Sequence, residues 1–453
     1  MAVSAILTLT APVGQAGIKD NGPRRVQQLV HDSSGKNVTW EKDQAAREQA
    51  LQAARRLLGK PLTVDTAIQI AFLNNRSLQA SFEEVGLSTA DLIEAATIPN
   101  PRFDLAVRIP DKPPSGTYID YGAAIDFLSI IMIPLKKRVA KDRLEEAALQ
   151  VGHRILELVS QVKIAFYSLQ ASQQLWHRLK TIAETDAAAL DLAQRQHEAG
   201  NISDLALAQQ QAISTRSHLD ILTTEEELHQ NRERLNRLLG LWGPDTNWKF
   251  DAALPAVPNF ELPSGGLERL ALSQRLDLQA AYLSVETQAK NLGLTKSFRF
   301  LGALDFGVES ERETDAQTRT GPTFAVELPI FNQGQARIAR GEAALRQAQD
   351  RFEALAVDVR SQIRELGDEL VTKRQIARSY QDEFLPIQRR ILNDSLAQYN
   401  AMQISDFQLF ATKAEEERTE RESVEAVRDY WITRTELEEA VGGNLKPFVK
   451  GER

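Results

Sequence analysis

The sequence contains no cysteine. Disulfides, thiolate metal sites and a cysteine nucleophile are therefore excluded, and lipid attachment through an N-terminal cysteine is not expected. There is no excess of basic charge either: 54 Lys and Arg stand against 62 Asp and Glu, a formal net charge of −8. Phosphate recognition needs a basic face, so no nucleic-acid partner is expected. Long apolar runs are also missing. The richest, AAIDFLSIIMIPL over 123–135, carries Asp126 and falls short of the ~18 residues of a spanning helix. A membrane location would have to be reached by another route. The six histidines, at 31, 153, 177, 197, 218 and 229, show no H-x-x-x-H spacing, and no phosphate loop, nucleophile elbow or dinucleotide fingerprint is present. No catalytic residue, cofactor or metal ligand is assigned, and no enzyme activity is expected. The acidic runs Glu225–Glu227 and Glu415–Glu417 read as solvated helix faces.

What is present is a foldable composition, 42% hydrophobic and 26% charged over 453 residues. Residues 1–16, MAVSAILTLTAPVGQA, resemble the apolar core and small-residue cleavage site of a secretory signal without its basic start, so export is expected. Residues 17–61 form an N-terminal segment with a short helix around 41–59. Beyond them the chain repeats itself. Asn75-Arg-Ser-Leu-Gln-Ala-Ser-Phe82 aligns with Arg275-Leu-Asp-Leu-Gln-Ala-Ala-Tyr282. Ile-Ser-Asp occurs at 202–204 and at 404–406, and the pattern of 138–149 returns at 337–348. Segments that recur in one order at nearly one offset mark a duplicated unit. The halves are taken as 62–242 and 264–442, joined by a Pro- and Gly-containing linker, 243–263, and followed by a tail, 443–453.

Each half has the order helix, two strands, very long helix, turn, long helix. In the first long helix Leu144, Ala148, Val151, Ile155, Leu158, Val162, Ala165, Leu169, Ser172, Trp176, Leu179 and Ala183 form a heptad seam. The second has Val359, Ile363, Leu366, Leu370, Lys373, Ala377, Tyr380, Phe384, Ile387 and Ile391. Such a period means supercoiled helices packed knobs-into-holes. A ~60-residue helix is about 90 Å long, so a rod or tube is expected. Pro386 should kink or break the second helix. The strands are expected at about 101–110, 117–128, 297–309 and 320–331. Their alternation puts Phe103, Leu105, Tyr121, Phe127, Phe300, Phe306, Phe324 and Val326 on an apolar face, with Asp120, Asp126, Arg299, Asp305 and Glu309 opposite. Two readings stay open: a half-buried sheet in a soluble domain, or a transmembrane β-barrel with lipid outside and water inside. Four strands cannot close alone, and an edge in lipid is not allowed. A barrel would need several chains, and three would supply twelve strands.

At this point the chain resembles the outer-membrane efflux (TolC-like) family. The resemblance covers about 62–442 and rests on the duplicated order, on 297–349, and on QRQHEAGNISDLALAQ (194–209) with its echo at 396–411. It implies a mainly α protomer with a β-hairpin portion: long coiled-coil helices forming a tunnel, and four strands joining a homotrimeric twelve-stranded barrel in the outer membrane. It also implies an exit duct for a tripartite efflux system, working with a periplasmic adaptor and an inner-membrane pump. A type I protein-secretion channel is the nearest alternative. A periplasmic coiled-coil adaptor or scaffold without a channel is the alternative from another class. Cargo is not legible.

Both Ile-Ser-Asp copies fall where a long helix turns back. Gly200 and Asn201 suit a left-handed helix end, although the second copy has Met402 where Gly200 stands in the first. Ser203 and Ser405 read as N-caps, with Asp204 and Asp406 in the first helical turn, where a carboxylate is favoured by about 0.3–1 kcal/mol. That capping role alone explains both motifs. The family resemblance adds a second role: Gly200, Ser203, Asp204, Tyr399, Met402, Ser405 and Asp406 would lie at the periplasmic gate and adaptor contact. Leu207 and Leu409 stand where relatives often have a second acid. His197 is expected to be solvated or to line the tip. Cell fractionation separates the classes: a channel is extracted only with detergent, whereas recovery in the aqueous periplasmic fraction would defeat that reading.

Overall fold

The computed structural model describes residues 22–41, 43–109, 111–112, 116–259, 266–315 and 317–443, with the backbone alone at Phe407. The signal-like start, part of the 111–116 link, the end of the linker and the tail lie outside the described residues. The elements run α1 (Gly22–Ser34), α2 (Gln44–Leu58), α3 (Val64–Asn74), α4 (Arg76–Ala96), β1 (Arg102–Arg108), β2 (Tyr118–Asp126), α5 (Phe127–Glu198) and α6 (Asp204–Leu239). After a short 3-10 turn at Gly243–Thr246 come α7 (Leu267–Gln274), α8 (Leu276–Ser297), β3 (Leu304–Arg312), β4 (Thr318–Val326) and α9 (Gln335–Arg378). A π turn, Ser379–Phe384, leads to α10 (Leu385–Asn400), and α11 (Asp406–Val441) closes the order. Among the described residues no helix is long and apolar enough to cross a membrane. The chain divides into two compact units.

The first unit, Met1–Gln28, Ser81–Val151 and Leu276–Ala356, contains the sheet. Its four strands are antiparallel in the order β1-β2-β3-β4, so β2–β3 pairing joins the two halves of the duplication. Directly opposed residues share a face. Phe103, Leu105 and Val107 of β1 therefore align with Ile119, Tyr121 and Ala123 of β2, and Phe306 aligns with both Ile125 and Phe324. The Phe306 and Phe324 rings lie 4.9 Å apart. Phe103, Leu105, Tyr121, Phe306, Phe324 and Val326 all stand exposed on this face. The opposite face carries Asp104, Asp120, Asp126, Asp305, Glu309 and Glu311, with Arg102, Arg108 and Arg319. The apolar positions of β2 span Ile119 to Ile125, about 20 Å along the strand at ~3.3 Å per residue, of the same order as the ~25 Å lipid-facing band of an outer-membrane barrel.

The strand limits differ from expectation at two of the candidate barrel residues. Phe127 is the first residue of α5, not a strand position. The cause is local: the Asp126 carboxylate accepts the Ser129 N–H at 3.0 Å and its hydroxyl at 2.5 Å, which is N-cap chemistry. Phe300 lies in a turn before β3, with Phe298, because helical bonding outlasts α8: Phe298 N–H reaches Leu294 O and Leu301 N–H reaches Phe298 O. The alternation of two phenylalanines there imitates a strand at a helix end. The third strand thus runs 304–312 instead of 297–309. The fourth stops at Val326, short of Leu328 and Ile330, and the chain closes a tight turn around Pro329, with Ile330 N–H bonded to Leu328 O at 2.9 Å.

The second unit, Leu29–Ala80, Gly152–Arg275 and Val357–Arg453, holds both helical hairpins. The α5 seam is buried from Val151 through Ser172 apart from half-buried Leu158. Ser172, its polar exception, accepts from Asn231 Nδ2 at 2.7 Å. In α9 the seam holds from Val359 to Ala377, and the exception Lys373 pairs with Asp429 at 3.5 Å. Beyond that the seam read from the sequence fails: Phe384, Ile387 and Ile391 are exposed. The π turn explains this. Pro386 cannot donate to the preceding turn, and the helix widens instead of ending, with Leu385 N–H bonded to Tyr380 O, five residues back. One extra residue in the turn moves the inward face on by one position. Leu385, Gln388 and Leu392 now face inward where 384, 387 and 391 were expected.

Apolar packing of α5 against α11 runs through Tyr167–Trp431, with rings 5.5 Å apart, to Ala171, Leu175 and Val424. The next turn is ionic. Arg178 binds Glu420, which also takes Arg389 at 2.7 Å, and Lys413 holds Glu416 at 2.8 Å. Glu416 and Glu420 are largely buried. Beyond them the buried positions of α6 are polar, Gln210, Ser217 and Thr224, and Ser217 hydrogen-bonds Asp186.

The other end of the hairpins is fixed by a duplicated joint. The helix pairs α3/α4 and α7/α8 each break for one extended residue, Asn75 and Arg275, 200 positions apart. Asn74 and Asn75 donate to the last carbonyls of α6, at Gly240 (2.5 Å) and Leu238 (2.8 Å). Arg275 donates to Ala440 O of α11 at 3.2 Å. The helix-ending glycines, Gly240 at φ 67° and Gly442 at φ 101°, press their backbones against these breaks. A Cβ at Gly240 would sit 2.5 Å from Asn74 O. Gly240→Ala combines a left-handed φ with that clash, so it should destabilise the helical unit by about 2–3 kcal/mol. A fall in the thermal midpoint of the helical circular-dichroism signal checks this.

Candidate functional site

The two hairpin turns superimpose residue for residue in their hydrogen bonding, at an offset of 202. In the first, α5 ends at Glu198 and Gly200 takes φ 76°. Gly200 N–H bonds His197 O, and Asn201 N–H bonds Gln196 O, both at 2.8 Å. In the second, Met402 takes φ 58°, Met402 N–H bonds Tyr399 O at 2.8 Å, and Gln403 N–H bonds Gln398 O at 2.9 Å. Both are Schellman endings, which satisfy the last carbonyls of a helix through one left-handed residue. Ser203 and Ser405 then cap the returning helices, accepting from Ala206 N–H at 3.3 Å and Gln408 N–H at 3.4 Å. Gln408 answers Ser405 with its side chain, completing a capping box that α6 lacks because Ala206 stands at that position. Asp204 and Asp406 open α6 and α11.

A second feature of the turns was not read from the sequence. His197 Nε2 lies 2.6 Å from Asp204 Oδ1, so His197 is bonded and not merely solvated. At the matching place Tyr399 bonds the Asp406 carboxylate, a contact that holds the phenol pKa above its ordinary value. Each turn is thus closed by a side chain gripping the acid seven residues on. That spacing was visible in the sequence, and it joins residues across a turn where helical periodicity gives no guide. Among the described residues no hydrogen bond or ion pair links one turn to the other, and no group of three or more His, Asp or Glu is placed to hold a metal ion. The turns therefore present two exposed, clasped carboxylates beside exposed Leu205, Met402 and Phe410.

An exposed apolar sheet face backed by a charged one, with two long hairpins of helices from a duplicated chain, is also the protomer fold of outer-membrane channels of known structure. The family described as outer membrane efflux protein matches residues 133–241. Over that stretch the sequence is similar to the outer-membrane efflux family, and the fold is that of TolC-like outer-membrane channels of known structure. Among relatives, the cobalt-zinc-cadmium resistance protein CzcC of Cupriavidus metallidurans is 23% identical over 354 residues, 75% of this chain and 80% of that one. The fold is shared with CusC (TM-score 0.64, 19% identity, 84% of this chain and 92% of that one). It is shared also with the CmeC outer-membrane channel of Campylobacter jejuni (0.70, 14%, 84% and 85%). VceC of Vibrio cholerae gives 0.68 at 15% identity, covering 84% and 96%.

Met402 is the one non-glycine at positive φ among the described residues, and it is 95% exposed. Such a residue in the left-handed region costs about 1 kcal/mol relative to glycine. Met402→Gly should therefore raise the thermal midpoint slightly, and a lowered midpoint would show that the methionine side chain makes a stabilising contact.

Proposed function

We propose that this chain is the exit duct of a tripartite efflux system whose cargo is divalent metal cations. The observation that carries the reading is the sheet: eight large apolar side chains exposed on one face and six carboxylates against three guanidinium groups on the other. An apolar face of that height suits lipid, and a net acidic face suits a water-filled passage for cations. β1 and β4 are open edges. Unpaired backbone groups are not tolerated in lipid, so the sheet calls for neighbours, and three chains give a closed twelve-stranded barrel. The metal cargo is supported by the relative CzcC, whose name records cobalt, zinc and cadmium resistance. An inner-membrane pump and a periplasmic adaptor would supply drive and selection.

The two hairpin turns are the proposed gate and adaptor contact, with Asp204 and Asp406 setting the closed state. Three chains would bring up to six carboxylates to one constriction, which attracts cations and resists their full ionisation. The clasps support this, since each fixes the direction of one carboxylate by a bond to His197 or Tyr399.

The test is planar-bilayer conductance of the purified full-length protein. Cation-selective steps are expected, partly blocked by millimolar zinc or cobalt from the side holding the turns. Asp204→Ala with Asp406→Ala should raise the conductance and relieve the block. Absence of any conductance would overturn the duct, whereas conductance and block untouched by the double substitution would remove the aspartates from the gate.

A further inference from the structure

Where β2 leaves the sheet, α5 opens with exposed Phe127 and Ile131 and then reads Lys136-Lys-Arg-Val-Ala-Lys-Asp-Arg143. Val139 and Ala140 are buried, whereas all five cations of this stretch are exposed. Five cations in eight residues stand out in a chain of net charge −8. The acids that would neutralise them are already engaged. Asp142 holds Lys290 Nζ at 2.7 Å, and Glu145 holds Arg25 Nε at 2.7 Å. Lys136 and Arg143 border a recess that Asp91 and Glu94 also line. Lys137, Arg138 and Lys141 form no ion pair among the described residues. The neighbouring strand end has the same make-up: before β3, the Arg299 guanidinium lies 4.2 Å over the ring of exposed Phe300.

The spacing is the informative part. Ile131 and Arg138 are seven residues apart and share a helix face. Lys137 and Arg138 lie about 9–11 Å along the helix from Ile131 at ~1.5 Å per residue. Headgroups flank a hydrocarbon core of about 30 Å within a total of about 40–45 Å. An apolar side chain at the hydrocarbon edge followed at that distance by an uncompensated cation matches one amphiphile, tail first and phosphate second. A soluble anion would have no use for the apolar half.

We infer that Lys137, Arg138 and Lys141 seat anionic phospholipid headgroups at the membrane surface from which the helices leave the sheet. This rests on the outer-membrane reading given above. Cations near such a surface gain about five-fold each in association, and salt weakens the effect as the screening length falls from about 10 Å near 0.1 M to about 3 Å near 1 M.

The experiment reconstitutes the full-length protein in phosphatidylcholine vesicles containing phosphatidylglycerol and compares spin-labelled forms of the two lipids at the protein surface. Wild type should prefer phosphatidylglycerol at least three-fold, with the preference lost near 1 M salt. Lys137→Gln/Arg138→Gln/Lys141→Gln should bring the ratio near one, and Lys137→Arg/Lys141→Arg should keep it. Should the triple variant fail to fold, Lys137→Gln alone and the salt titration of wild type decide the matter. No preference in wild type, a preference indifferent to salt, or one retained by the glutamine variants overturns the inference. A protein that conducts without lipid preference defeats this inference alone, whereas one that never inserts defeats the outer-membrane reading with it.

Discussion

Each long hairpin depends on what happens to the last carbonyls of its returning helix. A helix leaves four carbonyls without partners at its C-terminus, and burying them unpaired is costly. Here a one-residue break in another helix pair supplies the donors, Asn74 and Asn75 for α6 and Arg275 for α11. The closeness of that approach demands Gly240, where a Cβ would collide with Asn74 O, and favours Gly442, where a Cβ would come within 3.1 Å of the Gln274 backbone. A returning helix of 36 residues has its root placed by these few atoms. The same joint occurs twice, with different donors, so the duplication is conserved in geometry where it has drifted in residue type.

The duplication, the heptad seams and the alternating strands were legible in the sequence because each is periodic. Failures came where a local bond breaks the period. Asp126 starts a helix at Phe127 inside an apparent strand, and α8 carries helical bonding past Phe298. The π turn before Pro386 shifts the inward face by one residue, which a strict seven-residue count cannot follow. At the turns, capping chemistry was readable from Ser203 and Ser405. The clasps His197–Asp204 and Tyr399–Asp406 were not, because they bridge two helices and not two positions on one.

The two faces of the sheet carry different parts of the functional argument. The apolar face says only where the strands can live. In the proposed duct the carboxylates opposite would bear on what passes, and the turns on when.

The ion-paired turn at Arg178 and Glu420 divides the hairpins into unlike lengths. On the side of the joint, buried apolar side chains pack closely and resist shear. On the side of the turns, Gln210, Ser217 and Thr224 face inward, and water can replace any bond they make at little cost. The hairpins are therefore graded in stiffness, firm at the root and compliant toward the tip. A pull applied at the turns would be taken up over the polar length and would fade before reaching the joint, much as a reed bends above its node.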